Sequence, residues 1–309
     1  MSRSVDVGVR LDAPHLEPKH RLNGVVRAYL ERRAAPVAPV GPSPWPAAFF
    51  GLEKVKLFRE ASAEQRAQIV KSCAQNLLVE AYAIEKLGMA SAAKMILVSE
   101  TTEERMTFCH IAGDEASHLA WVTPFVARPE AVADNPFVGL MGGLVETASK
   151  HALFYLLQCV LEGWGLSHYR LLADGCVDPG LRASLERILV DERLHHGTGG
   201  VLFDPRALRP EDRETISEAM AMVLTMVQVG PQGVAISLFR ALGEESLRQA
   251  EQVFAELDAQ AESAKKLQLL RKLMLGRGVD GLVETLEGQG LFTPFDAAGC
   301  SQATAAFLG

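Results

Sequence analysis

No two cysteines in this chain form a C-x-x-C pair. The five present, Cys73, Cys109, Cys159, Cys176 and Cys300, are odd in number and widely scattered. That argues against a disulfide framework, a zinc ribbon and an iron site built on four thiolates. They read as free buried thiols in a reducing compartment. Positive charge is also in short supply. The formal net charge is -7, so no basic face for nucleic acid is expected, and no run of like charges forms an interaction tail. Long hydrophobic runs are missing too. A membrane span needs about 18 uninterrupted apolar residues. The longest apolar region, 219–242, is broken by Gln228, Gln232 and Arg240. The first twenty residues lack the continuous apolar centre of a signal peptide. The expectation is a cytoplasmic protein that meets neither membrane nor nucleic acid. Alternating β-branched runs are scarce as well, which disfavours sheet.

What the chain does have is Ala, Leu and Glu at helical spacing almost throughout. The 309 residues, 48% hydrophobic, suffice for a sizeable core. A first helix is expected over 17–33. Five prolines within 34–46 rule out helix there and predict an extended strap across the surface. Ser62, followed by Glu64 and Gln65, is a plausible start for a long helix over 62–97. Thr101 with Glu104 fits a capping box and opens a second helix over 101–127. Residues 128–146 hold Pro129, Asn135-Pro136 and Gly142-Gly143, and read as a non-helical crossover. A third helix over 146–173 and a fourth over 181–202 follow. Two or three further helices are expected in 211–287, and an irregular tail after 288. Two tightly joined helix pairs separated by a long crossover are one of the known ways to connect a four-helix bundle. The chain therefore divides into 1–61, an N-terminal helix and strap; 62–204, the core bundle; and 205–309, a helical extension packed on it. All three belong to one domain.

The chemistry is carried by a repeated motif. Asp114-Glu115-Ala116-Ser117-His118 lies on the second core helix and Asp191-Glu192-Arg193-Leu194-His195 on the fourth. Both read D-E-x-x-H. Positions three apart share one helical face, so a carboxylate and an imidazole can meet the same ion. Each motif sits on an apolar stripe: Phe108, Ile111 and Leu119 accompany the first, Leu181, Leu185 and Ile188 the second. Charged side chains on such stripes are rarely buried unless paired or bound to metal. Each neighbouring helix offers one more carboxylate. On the third helix it is Glu162, the only acid between Lys150 and Leu172. On the first helix Glu80 and Glu85 compete, and a helical wheel places Glu80 nearer the apolar centre. The ligand set expected is Glu80, Glu115, His118, Glu162, Glu192 and His195. Its acids are separated by 35 residues in the first helix pair and 30 in the second. Four carboxylates and two imidazoles suit two divalent ions, iron or manganese rather than a closed structural zinc.

This pattern resembles the ferritin-like di-iron carboxylate proteins, over about residues 62–204. A single E-x-x-H occurs by chance in many helices; two, each preceded by Asp and alternating with lone glutamates, are far more specific. The resemblance implies an all-α fold, a ferritin-like four-helix bundle with additional N- and C-terminal helices. It implies that Glu115 or Glu192 bridges the ions, and that Asp114 and Asp191 hydrogen-bond the histidines. Tyr169, two turns after Glu162, is a candidate hydrogen-bonding or redox tyrosine, or simply core. The para-aminobenzoate N-oxygenases are distantly similar, but they carry a further histidine where this chain has Ile188. The expected function is a di-iron oxygenase or oxidase that activates dioxygen to oxidise a small organic substrate. Hydroxylation, N-oxidation, desaturation and C–C cleavage all stay open. Its partners would be that substrate, an electron donor such as a ferredoxin or reductase, and a second copy of the chain in a homodimer. The alternatives are a ferritin- or rubrerythrin-like protein handling iron or peroxide, and a non-enzymatic helical protein with a relic site.

Overall fold

Ser62 begins the longest helix by satisfying two of its orphan amides. Its hydroxyl accepts from Gln65 N at 3.2 Å, and Gln65 Oε1 accepts from Ser62 N at 2.9 Å. In the computed structural model, which describes residues 17–20, 33, 37–127, 129, 136–243 and 248–308, every regular element is helical and no strand occurs among those residues. A short helix, α1, Lys56–Glu60, precedes α2, Ala63–Val98. Then come α3, Thr102–Val122, and α4, Pro136–Thr147. The third long helix, α5, is assembled from Lys150–Leu153, a π-helical stretch Phe154–Leu161, and Glu162–Gly175. Next is α6, Pro179–Leu202, whose Asp178 carboxylate accepts from the amides of Gly180 and Leu181, both at 2.9 Å. The remainder is α7, Pro210–Gln228; α8, Gln232–Leu242; α9, Ala250–Glu256; α10, Ala259–Met274; α11, Asp280–Gly288; and α12, Ala297–Leu308.

Helix α2 packs along α3, α5 along α6, and α3 against α6. The N-cap roles expected of Ser62 and Thr101 hold, the latter accepting from Glu104 N at 3.1 Å. The strap is present over the described residues 37–46. Pro44 accepts from Val177 N, and buried Trp45 donates its indole N–H to Leu172 O, both at 2.8 Å. The helix expected over 17–33 falls largely outside the described residues.

Four expectations need correction. The crossover contains helix α4 despite Gly142-Gly143, because Met141 and Val145 are fully buried. Buried Lys94 stabilises its end by donating to the carbonyls of Val145, Glu146 and Ala148 at 2.6 to 3.0 Å, the terminal acceptors a helix cannot satisfy itself. The described residues of 210–288 hold five α-helices rather than two or three. The tail is helical over Ala297–Leu308, anchored by buried Cys300 and Thr304. Cys109 is exposed, whereas the other four thiols are buried and all five are free.

No single helix among the described residues is long and apolar enough to cross a membrane. Helices α7 and α8 pass such a test only as a pair bent by 49°.

Two apolar cores lie along the long helices. One gathers Trp45, Ile69, Leu78, Trp121, Leu185 and Phe254; the other gathers Met95, Phe108, Phe154, Met220, Leu270 and Met274. On α2 the change from one core to the other falls between Tyr82 and Leu87, on α3 between Ile111 and Trp121, and on α5 between Val160 and Tyr169. Each of these intervals contains a charged residue of the motif set. The polar cluster is therefore held between two hydrophobic blocks.

Candidate metal centre

Four helices meet at that interval. Glu115 and His118 come from α3, Glu192 and His195 from α6, Glu162 from α5, and Glu85 from α2. Two groups of donors form. Glu85, Glu115, His118 and Glu192 make one; Glu115, Glu162, Glu192 and His195 make the other, and within each the ligating atoms lie within 4.8 Å of one another. Glu115 and Glu192 belong to both groups, which is the placement a bridging carboxylate needs.

The acid that α2 brings into the donor groups is Glu85, where Glu80 was expected. Glu85 is fully buried, with Oε2 3.2 Å from His118 Nδ1, while Glu80 is half-buried and lines a neighbouring cavity. The wheel failed because α2 has partners on several sides: α3 along it, α8 on its N-terminal half and α4 on its C-terminal half. A wheel taken over one stretch of this 36-residue helix does not distinguish the side that faces the site from the sides that face its other partners. One signal was available in the spacing. Glu85 precedes Glu115 by 30 residues, as Glu162 precedes Glu192. With Glu85, the whole set recurs after 77 residues. Accordingly, Glu85→Ala is expected to lower metal occupancy by half or more, whereas Glu80→Ala leaves it unchanged. Elemental analysis of both variants reads the difference, and the reverse result would restore Glu80 as ligand.

The histidines are oriented from the far side. His118 Nδ1 faces Glu85 and, at 3.4 Å, Glu192; its Nε2 lies 3.1 Å from Asp191. His195 Nδ1 faces Glu115 at 3.3 Å and Glu192 at 3.4 Å, and its Nε2 lies 3.5 Å from Asp114. Each aspartate thus holds the histidine of the opposite motif. An Nε2–H donated to carboxylate leaves Nδ1 as the lone-pair donor for an ion. Arg33 pairs with Asp114 and approaches Ser117 Oγ at 3.5 Å. Tyr169, fully buried, donates its hydroxyl to Glu85 Oε1. His196, adjacent to the ligand position, is half-buried and sits 3.0 Å from Gln158 O through Nδ1.

Two glycines make the crowding possible. A Cβ on Gly88 would lie 2.4 Å from Glu115 Oε2. A Cβ on Gly199 would lie 2.8 Å from the carbonyl carbon of Gln158, so the missing side chain lets α6 lie close against the π-helical backbone of α5 there. Such π segments are often found at functional sites, and this one ends directly before Glu162.

The electrostatics fit a metal set. Burial pushes Glu115 up to about 8, with the charges of Glu192 and Glu85 adding to the rise. Burial and the neighbouring Glu192 likewise raise Glu162 well above the carboxylate range. Burial opposes charge on both histidines, but the surrounding carboxylates outweigh it: Asp191, Glu192 and Glu85 raise His118, and Asp114, Glu115 and Glu192 raise His195. Without ions, the site neutralises itself with protons. His195 Nδ1 is buried and makes no hydrogen bond of good geometry, an orphan nitrogen aimed at carboxylate oxygens. An ion between them satisfies both, and four carboxylates balance two divalent charges. The residues fit a pair of such ions, iron among them.

A pH dependence follows. Glu115 stands above its ordinary 4.5, so its protonated form favours the metal-free fold. That contribution is present below about 4.5 and is lost as pH climbs through about 8. Bound ions hold the carboxylates deprotonated and remove this dependence. The gap in melting temperature between metal-loaded and metal-free protein should widen from pH 6 to pH 9. A constant gap in thermal scans would contradict the burial-driven rise.

Beside the carboxylates lies a cavity of about 300 Å³. Glu115, Glu162 and Glu192 line it together with Leu87, Ile111, Leu157 and Trp164. The structure thus brings together five of the six expected ligands, places Asp114, Asp191 and Tyr169 beside them, and replaces Glu80 by Glu85. No family model matches this chain, and neither does any curated protein or solved structure.

Proposed function

We propose that this chain is a ferritin-like di-iron carboxylate protein, a non-haem oxygenase or oxidase that uses dioxygen to oxidise a small organic molecule. The observation that carries the reading is the contact between cluster and cavity. Three of the four carboxylates form part of the wall of an otherwise largely apolar cavity, so a bound molecule would lie against the ions. A storage or purely structural site has no need of such a space.

Glu85, Glu115, His118 and Glu192 would hold one ion, and Glu115, Glu162, Glu192 and His195 the other. When bound, a pair of ferrous ions supplies the electrons that dioxygen chemistry requires. The protein's share is positioning and exclusion. Asp191 and Asp114 hold the imidazoles with Nδ1 inward. The two apolar cores keep water from the cluster along the bundle. Tyr169 donates its hydroxyl to the Glu85 carboxylate and so orients it. Repeated turnover calls for an external electron donor, a ferredoxin or reductase, or for electrons from the substrate.

Purified protein loaded anaerobically with ferrous iron should bind about two ions per chain, the number for which such bundles provide ligands. On exposure to air it should take up dioxygen in stoichiometric amount and leave excess ferrous ion in solution. Retention of hundreds of oxidised ions per chain would establish storage instead. Two bound ions with no dioxygen uptake would point to a relic site, and a single zinc per chain would remove the di-iron reading altogether.

A further inference from the structure

The cavity has a polar end that the metal centre does not use. Glu80 precedes Glu85 by five residues on α2, and His168 follows Glu162 by six on α5. At 1.5 Å per residue these positions lie roughly 8 to 9 Å along the bundle from the carboxylates. Both line the cavity, joined by Lys266 from α10. The opposite end is apolar, with Ala92, Ile111 and Phe137. One chamber thus runs from charged groups, past the carboxylates, to a hydrocarbon pocket.

The polar end presents three different functions. Glu80 offers a carboxylate, the exposed Lys266 an ammonium group, and the half-buried His168 an imidazole that desolvation holds below its ordinary pKa. His168 Nε2 has no hydrogen-bond partner although it is shielded from solvent. A buried polar atom left alone in a native structure calls for a partner. A carboxylate alone at this end would meet Glu80, and an amine alone would meet Lys266. A molecule carrying both charges satisfies both, with a further polar contact for His168.

We propose that the substrate is a zwitterionic small molecule with an apolar tail, of the α-amino acid type. Its ammonium rests on Glu80, its carboxylate on Lys266 and His168, and its tail passes the ions into the apolar end. This rests on the oxygenase reading and adds a prediction of position: the tail, rather than the head group, faces the ions. A volume of about 300 Å³ is at the small end of ligand pockets and suits a compact molecule.

Binding tests this without turnover. Calorimetric titration of full-length protein, with its metal content measured, would use L-leucine, L-methionine, L-phenylalanine, L-norleucine and L-2-aminooctanoate. Octanoate and heptylamine carry matching tails without the amino or the carboxylate group. At least one of the amino acids should bind, with the two single-charge probes weaker by tenfold or more. Glu80→Gln and Lys266→Gln should each weaken amino-acid binding about tenfold while leaving the metal content unchanged. If no amino acid of the set binds, if octanoate or heptylamine binds as well, or if both variants bind as the parent does, the zwitterion proposal is overturned. Protein that holds two ions and binds no amino acid would sink this proposal alone. Protein that binds the amino acids but no metal would sink the di-iron reading and leave the head-group site standing.

Discussion

Glu192→Ala is expected to empty both ion positions at once and to abolish dioxygen uptake. Glu192 belongs to both donor groups and approaches Nδ1 of both histidines at 3.4 Å. Among the described residues no other carboxylate touches both rings as closely; Glu115 lies 4.0 Å from His118. The metal content should fall from about two ions per chain to near none, whereas loss of Glu85 or Glu162 should empty one position preferentially. The fold should survive. Truncating one partner of a buried ion pair commonly costs about 3 to 5 kcal/mol. Here the same change also relieves repulsion, because the Glu192 charge raises both Glu115 and Glu162. The cores on either side do not involve this residue. Circular dichroism should show helical content like the parent's, and elemental analysis should show the metal gone. A variant that still holds two ions would refute the bridging assignment.

Gly88→Ala is expected to damage the metal centre more than the fold. Alanine in place of glycine inside a helix is favourable by up to about 1 kcal/mol. Overpacking typically costs about 1 to 3 kcal/mol. The two nearly offset, so the melting temperature of metal-free protein should move by only a few degrees. The atom in the way, however, is Glu115 Oε2, 2.4 Å from the new methyl carbon. It is the end of a flexible side chain, so the cheapest adjustment is rotation of Glu115 away from the cluster. Occupancy should therefore drop by half or more, and dioxygen uptake at least tenfold. Unchanged occupancy would show that α2 shifts as a body instead.

Much of the centre is legible in the chain itself. The two D-E-x-x-H runs specify helix, face and ligand type together, because a three-residue interval on a helix superposes side chains whatever the surroundings. Glu162 is equally plain, the only acid between Lys150 and Leu172. The N-caps at Ser62 and Thr101 are local hydrogen bonds and need no tertiary context.

Other features depend on what lies opposite. Glu85 against Glu80 is a matter of which side of α2 each neighbouring helix covers, and a wheel averaged over a helix with several partners cannot decide it. Helix α4 persists through Gly142-Gly143 because burial and Lys94 outweigh a weak local propensity. The crossed pairs His118–Asp191 and His195–Asp114 join residues 73 and 81 positions apart. His168 and Lys266 carry no pattern and line one cavity only because α10 lies near α5. By itself the sequence determined that the protein is helical and that two helices carry carboxylate–imidazole pairs, since both follow from periodicity along one chain segment. Only the tertiary structure decided which acid completes the set, which aspartate holds which histidine, and that a cavity adjoins them. Those are relations between helix faces, set by packing between segments far apart in the chain.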